Sequence, residues 1–263
     1  MRIYAKGVPR CRYVLGSTTF ANLWLRVVGP EVERALEELY ALEAIERNGG
    51  LSALGRVMAE FPIDPTFGKT LIKSQELGCT SEVIDVIALL SVDSVFYMPN
   101  DRRDEAAEAR RKFVDAAGDH LTVLSVLRAY QQVRGEGRWC CDNFVNIRNM
   151  KHALDIRKQL AQLCVRRKID PTSSCGHDSD LVLKAFLAGF FQHTALLQPD
   201  STYRSVVGGR TGSVHPTSVL FGKKVAAIMY TEIVLTTKQY VRGVSAIQSS
   251  WLPAAAPNYF GNV

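Results

Sequence analysis

The sequence predicts an α+β chain, helical over its N-terminal two-thirds and closing in a small β-structure. Three features predict it. Apolar residues recur at helical spacing from Glu31 to Lys168. Runs of β-branched and aromatic residues, broken by glycines, dominate after Ser201. Glycine, proline and serine clusters fall between these blocks rather than inside them.

Taken in order, residues 1–30 stay unassigned. Leu23, Trp24, Leu25, Val27 and Val28 form an apolar patch, but Gly7, Pro9, Gly16 and Gly29-Pro30 interrupt it, and the segment reads as truncated. From Glu31 to Glu46 the positions Val32, Ala35, Leu36, Leu39, Tyr40, Leu42, Ala44 and Ile45 predict a helix that stops near Asn48-Gly49-Gly50. Ser52 has the chemistry to cap a second helix through Met58, since its hydroxyl accepts from an unpaired helical N–H. Pro62 and Pro65 punctuate the chain before a third helix at Thr66.

Leu71, Ile72, Leu77, then Val83 to Leu90, then Leu121 to Tyr130 continue the helical pattern, with Asp101 to Lys112 as a charged helix face or loop. Asp119 reads as the N-cap of the helix that follows it. Pro171-Thr172-Ser173-Ser174 reads as a linker, and Leu181 to Leu197 as one apolar helix. Short strands are predicted at Tyr203 to Val207, Ser218 to Phe221, Val225 to Tyr230, Glu232 to Thr236 and Tyr240 to Val244. Several short strands after a helix suggest a small barrel or sandwich. An OB-type barrel suits this size, and such barrels commonly hold single-stranded nucleic acid.

Composition narrows the function classes. With 263 residues, 47% hydrophobic and 22% charged, the chain can bury a core and is neither a disordered tail nor a coiled coil. A net charge of +6 favours an anionic partner. Apolar runs such as Ala185 to Phe191 fall far short of the ~20 residues that a membrane span needs, and Met1 to Lys6 has no signal-peptide core. The expectation is an intracellular protein without a membrane partner. The six cysteines contain no C-x-x-C pair and read as reduced packing residues.

Catalytic motifs are weak. Phe67-Gly68-Lys69-Thr70 ends like a phosphate-binding loop, but Ile63 stands where that motif needs glycine and no strand leads in. There is no G-x-S-x-G elbow, H-E-x-x-H or glycine-rich dinucleotide turn. No metal or catalytic site is expected.

Charge clustering says more. Between Asn143 and Lys168, Arg148, Lys151, Arg157, Lys158, Arg166, Arg167 and Lys168 face one acid, Asp155. Arg148, Lys151, His152 and Asp155 share a helix face at three- and four-residue spacing, where guanidinium groups can clamp phosphates. A solvated face paired locally through Asp155 is the competing reading. From Ser201 onward, Arg204, Arg210, Lys223, Lys224, Lys238 and Arg242 are opposed only by Glu232. Tyr230, Tyr240 and Trp251 interleave with them, as base-stacking platforms or as core.

Several blocks carry a specific resemblance. Residues 35–42 (ALEELYAL) and 51–62 (LSALGRVMAEFP) resemble the winged-helix to ratchet junction of DEAH-box RNA helicases, in the spliceosome-associated branch. Residues 118–122 (GDHLT), 139–144 (WCCDNF) and 157–160 (RKQL) resemble that family's ratchet domain. Residues 213–218 (SVHPTS), 230–238 (YTEIVLTTK) and 251–257 (WLPAAAP) resemble its C-terminal OB fold. The blocks occur in the family's order.

The resemblance implies a partial winged helix over 31–65, a helical ratchet domain over 66–170 and an OB-fold domain over 171–263. It implies RNA binding by Arg148, Lys151 and Arg157 of the ratchet and by His215, Thr237, Lys238 and Arg242 of the OB unit. The family's two RecA-like domains, with P-loop, D-E-A-H box and arginine finger, are not in this sequence, so no cofactor and no ATPase activity is expected of this chain alone. ATP and magnesium belong to the full-length helicase. Implied partners are single-stranded RNA, a ribonucleoprotein such as the spliceosome, and a glycine-rich G-patch protein docking near Leu36, Leu39 and Tyr40. The implied location is nuclear. The rival expectation is a protein-interaction adaptor derived from a helicase that does not bind RNA by itself.

Overall fold

A computed structural model describes residues 32–260, and the expectations for residues 1–30 lie outside them. The α+β expectation holds: helices fill the chain as far as Phe190, and strands follow from Thr194. Helix α1 spans 32–41. It ends earlier than its periodicity predicts because Ser52 captures the next carbonyls. The Ser52 hydroxyl donates to Glu43 O at 2.6 Å and its N–H donates to Ala44 O at 3.0 Å. The chain then folds back, and Ile45 and Leu51 form an antiparallel bridge. The same hydroxyl accepts from Gly55 N–H at 2.8 Å, so Ser52 caps α2 (Ala53–Met58) as expected.

Asp64 caps α3 (Pro65–Leu77) by accepting from Thr66 N–H, and Gly78, at φ 68°, stops it. Helices α4 (Thr80–Leu90), α5 (Arg103–Arg111), α6 (Asp119–Gln132), α7 (Gly137–Asp142), α8 (Ile147–Arg166) and α9 (Ser179–Phe190) follow. Helix α4 is apolar on nearly every side and lies at the centre, with Val83, Val86 and Ile87 at 0% exposure. Helix α9 crosses α3 at Gly189, where a Cβ would lie 2.2 Å from Thr66 O, so glycine permits this close approach.

The expected linker at 171–174 is a tied strap. Ser81 N–H donates to Ser173 O at 2.9 Å, and Ser174 Oγ and Cys175 N–H donate to the buried Glu82 carboxylate. The five described cysteines are free thiols, as expected, and burial pushes Cys79 up to about 12 and Cys164 to about 11.

Leu181 to Leu197 is not one helix. The chain leaves α9 at Phe190 and enters β1 (Thr194–Leu197). Strands β2 (Tyr203–Ser205), β3 (Thr211–Val214), β4 (Ala227–Met229), β5 (Glu232–Leu235), β6 (Gln239–Arg242) and β7 (Ser245–Ala246) complete a seven-stranded sheet ordered β5-β6-β3-β2-β1-β4-β7. Among the described residues, pairing runs from β5 at one end to β7 at the other. Ser218 to Phe221 is a turn rather than the predicted strand, with Leu220 fully buried beneath it. The register of β4 on β7 continues without slip into that of β5 on β6. Residues 227–246 are therefore one long hairpin, interrupted by Tyr230-Thr231 facing Gly243-Val244.

Asp119 is not the N-cap of α6; Gly118 occupies that position. The Asp119 carboxylate reaches across to the sheet unit, accepting from Val219 N–H at 2.9 Å and from Val244 N–H at 2.8 Å, while its own N–H donates to Val244 O at 2.8 Å. Ala246 N–H donates to Ala117 O at 2.7 Å, and Gly118 bridges Ser245. His120, 1% exposed, sets Nδ1 2.8 Å from Ser245 Oγ. Residues 117–120 thus join the helical unit to the sheet and cover the β7 edge.

Candidate nucleic-acid interface

Helix α8 is built by its two faces. Met150, Ala153, Leu160 and Cys164 are buried against the helical core. Arg148, Lys151, His152, Asp155 and Lys158 are exposed on the opposite side, so the shared face predicted from spacing exists. Its 20 residues make a rod about 30 Å long. Asn146 caps it, accepting from Arg148 and Asn149 N–H, and Asn149 Nδ2 donates to Asp93 O and Ser94 O. The first turn is therefore pinned to the 92–98 segment.

Arg157 differs from its neighbours. Half-buried, it makes a close ion pair through Nε with Asp85 of α4. Burial pushes the Asp85 carboxyl above its usual range, and the Arg157 guanidinium opposes that shift. Its charge locks α8 to α4. Replacing Arg157 with alanine is expected to lower stability by about 2 kcal/mol, less than for a fully buried pair because the arginine is partly solvated. Urea melts check this, and an unchanged midpoint would contradict it.

On the sheet side, Thr237 and Lys238 are exposed at the turn between β5 and β6. Arg242 lies opposite Glu232 and pairs with it at 3.2 Å. His215 follows β3, which runs parallel to β6. Its ring packs edge-on against Tyr240 with centroids 5.5 Å apart, and Nδ1 lies 2.7 Å from Thr217 Oγ1. His215, Tyr240 and Arg242 thus gather near the base of the hairpin, and Thr237 and Lys238 at its tip. Among the described residues no ion pair engages Arg148, Lys151 or Lys238. No hydrogen bond, ion pair or ring contact joins the α8 residues to those of the hairpin.

Between the units lies a cleft of about 1000 Å³, walled by α1, the start of α3, the 92–98 segment, the end of α9 and the hairpin residues Thr231, Glu232, Arg242 and Gly243. Arg242 is the one predicted RNA-binding residue that lines it. Sequence reading missed Phe96, Arg110 and His193. Arg110 lies over the Phe96 ring at 5.0 Å and donates to Thr217 O at 2.9 Å, and burial lowers its pKa. His193 stacks on Tyr230 with centroids 5.4 Å apart, and burial lowers its pKa too. No local motif marks either residue, since their partners lie far along the chain.

Lys69 does not fit a nucleotide phosphate. It is 8% exposed, faces Glu43 at 3.7 Å and lies 5.5 Å from the Phe191 ring centroid. Thr70 donates to Thr66 O within α3. The Phe67-Gly68-Lys69-Thr70 segment is helix packing, and no nucleotide step passes through it. Among the described residues no cluster of His, Cys, Asp and Glu could hold a metal, and no helix is long and apolar enough to cross a membrane.

Comparison with known proteins agrees with these parts. Residues 35–63 match the helicase-associated (HA2) winged-helix family, 64–123 the ratchet-like HA2 family, and 182–259 the oligonucleotide/oligosaccharide-binding (OB)-fold family. ATP-dependent RNA helicase DHX33 of Mus musculus and of Homo sapiens are each 39% identical over 232 residues, covering 87% of this chain and 33% of theirs. Pre-mRNA-splicing factor ATP-dependent RNA helicase prp22 of Schizosaccharomyces pombe is 38% identical over 227 residues, covering 86% of this chain and 19% of its own. The chain thus spans about a third or less of the length of these curated relatives.

Proposed function

The chain carries C-terminal HA2 winged-helix, ratchet and OB-fold domains matching DEAH-box RNA helicases, and from that premise we propose that it grips single-stranded RNA for such an enzyme. The observation that carries this reading is that Arg148, Lys151 and Lys238 are exposed without carboxylate partners among the described residues. Unpaired cations release counterions when they meet phosphate, and that release supplies sequence-independent affinity. Arg242 and His215 support the same path from the hairpin base, Thr237 offers a hydroxyl at its tip, and Arg157 holds α8 in place. Phosphate contacts position a strand without reading its bases.

In the intact enzyme, ATP and magnesium act in RecA-like domains outside this chain and drive 3′-to-5′ translocation and remodelling of RNA–protein complexes. The likeness to a pre-mRNA-splicing factor supports a role in splicing and a nuclear location. A G-patch protein docks at Leu36, Leu39 and Tyr40. The domain boundaries 31–65, 66–170 and 171–263 accompany this reading. So does closure of the sheet into an OB barrel, which the unbroken 227–246 hairpin register supports.

Fluorescence anisotropy with labelled single-stranded RNA at two salt concentrations tests it. The Arg148→Ala/Lys238→Ala double variant is expected to bind about tenfold more weakly, with a log–log salt slope reduced by about 1.4. Absence of binding, or binding indifferent to salt, would refute RNA gripping and leave the adaptor reading.

A further inference from the structure

The two ends of the sheet are treated differently. At β7 the edge is covered by Ala117 and Gly118. At β5 it is bare. Strand β1 pairs along the outer edge of β4 as far as Thr194 opposite Met229, and Tyr230 N–H still donates to His193 O at 3.0 Å. Beyond that point the chain preceding β1 turns away into α9, and no described strand continues on this edge. Main-chain groups alternate sides along a strand, so those of Glu232 and Val234 point to the vacated edge as those of Tyr230 do. Beside them, Ile233 is 41% exposed and Leu235 79% exposed. A bare edge bearing aliphatic side chains is a template for another strand.

The neighbouring surface favours polypeptide over RNA as the occupant. Glu232 sits at the edge and also lines the cleft, whose wall carries Glu38, Asp64 and Asp93 without ion pairs among the described residues. The two arginines in that wall are engaged, Arg110 with Thr217 O and Arg242 with Glu232. This charge repels phosphate and attracts lysine or arginine. Isoleucine and leucine also offer no flat face for a base to stack on.

We propose that the vacated edge of β5 binds an extended polypeptide segment by strand addition, with aliphatic side chains over Ile233 and Leu235 and basic residues toward the cleft carboxylates. The segment takes the position in the ladder that β1 leaves at Thr194. Main-chain hydrogen bonds supply affinity, and alternate side chains supply selectivity. The site does not depend on RNA gripping, which uses α8 and the hairpin tip.

The test titrates the full chain with fluorescein-labelled ten-residue peptides of alternating valine and a polar residue, the polar residue being lysine, serine or glutamate. Hydrogen exchange is read in parallel. Saturable binding of the lysine peptide is expected, with protection of the Glu232 and Val234 amides. It should weaken about tenfold when alternate peptide nitrogens are N-methylated, and by a similar factor in Glu38→Lys/Asp93→Lys. The serine peptide should bind more weakly, and the glutamate peptide weakest. Val234→Pro removes one edge donor and should lower affinity in the same way.

The N-methylated probe makes the result independent of whether any variant folds well. Failure of every peptide to bind, equal binding of the N-methylated peptide, or protection confined to other strands would overturn the proposal. RNA affinity measured on the same samples separates this outcome from failure of RNA gripping.

Discussion

Alanine at Gly118 is expected to lower the thermal midpoint by about 10 °C, the effect of roughly 4 kcal/mol on a chain of this size. Two costs combine. Gly118 sits at φ 132° and ψ −165°, a backbone region that is essentially glycine-only. A Cβ there would also lie 2.5 Å from Ser245 Cα and 2.5 Å from Val244 O, and neither backbone atom can yield without parting the helical unit from the sheet. Asp119→Ala tests the same junction without steric overlap. It strips the partners from Val219 and Val244 N–H and should cost about 3 kcal/mol. Calorimetry reads both, and both variants should separate sheet melting from helix melting. A single transition within about 2 °C of the parent would show that the junction carries little of the stability.

The sequence was legible where structure is local. The Ser52 cap, the start of α3 at the Pro65 elbow and the two faces of α8 depend on residues within a turn or two of one another, and their patterns announce them. Asp119 shows the limit. An aspartate before an apolar helical run has the signature of an N-cap, and what overrides it lies 100 and 125 residues away. Arg148 and Arg157 look alike in sequence, yet Asp85, 72 residues distant, engages only the second. Strand β3 was missed because Thr211-Gly212-Ser213-Val214 has too little β-branched bulk to signal a strand. It forms because β2 and β6 supply partners on both sides. The cleft was invisible for the same reason, since its walls come from five separate stretches of chain.

Mild acid should loosen the junction that Gly118 and Asp119 maintain. His120 is buried with Nδ1 satisfied by Ser245 Oγ, while Nε2 has no partner and the ring packs 4.8 Å from Phe186. A second proton would place a charge in this apolar setting, and burial accordingly lowers the pKa from 6.5 to about 4, with the nearby Asp119 carboxylate only partly opposing it. The unfolded chain, with its ordinary imidazole, takes up the proton first. Stability from this group is therefore complete above about pH 6.5 and drains away as the pH falls toward 4, amounting to a loss of about 2 kcal/mol by pH 5. His193, also lowered by burial, adds a change of the same sign. Asp85, raised by burial, acts the other way at the acid end, so the decisive range is pH 6.5 to 5. Urea melts across that range, compared with His120→Leu, isolate the effect. The variant starts less stable because Ser245 loses its partner, but its stability should fall by about 2 kcal/mol less than that of the parent. Parallel pH curves for the two would show that His120 is not the group coupling the junction to protons.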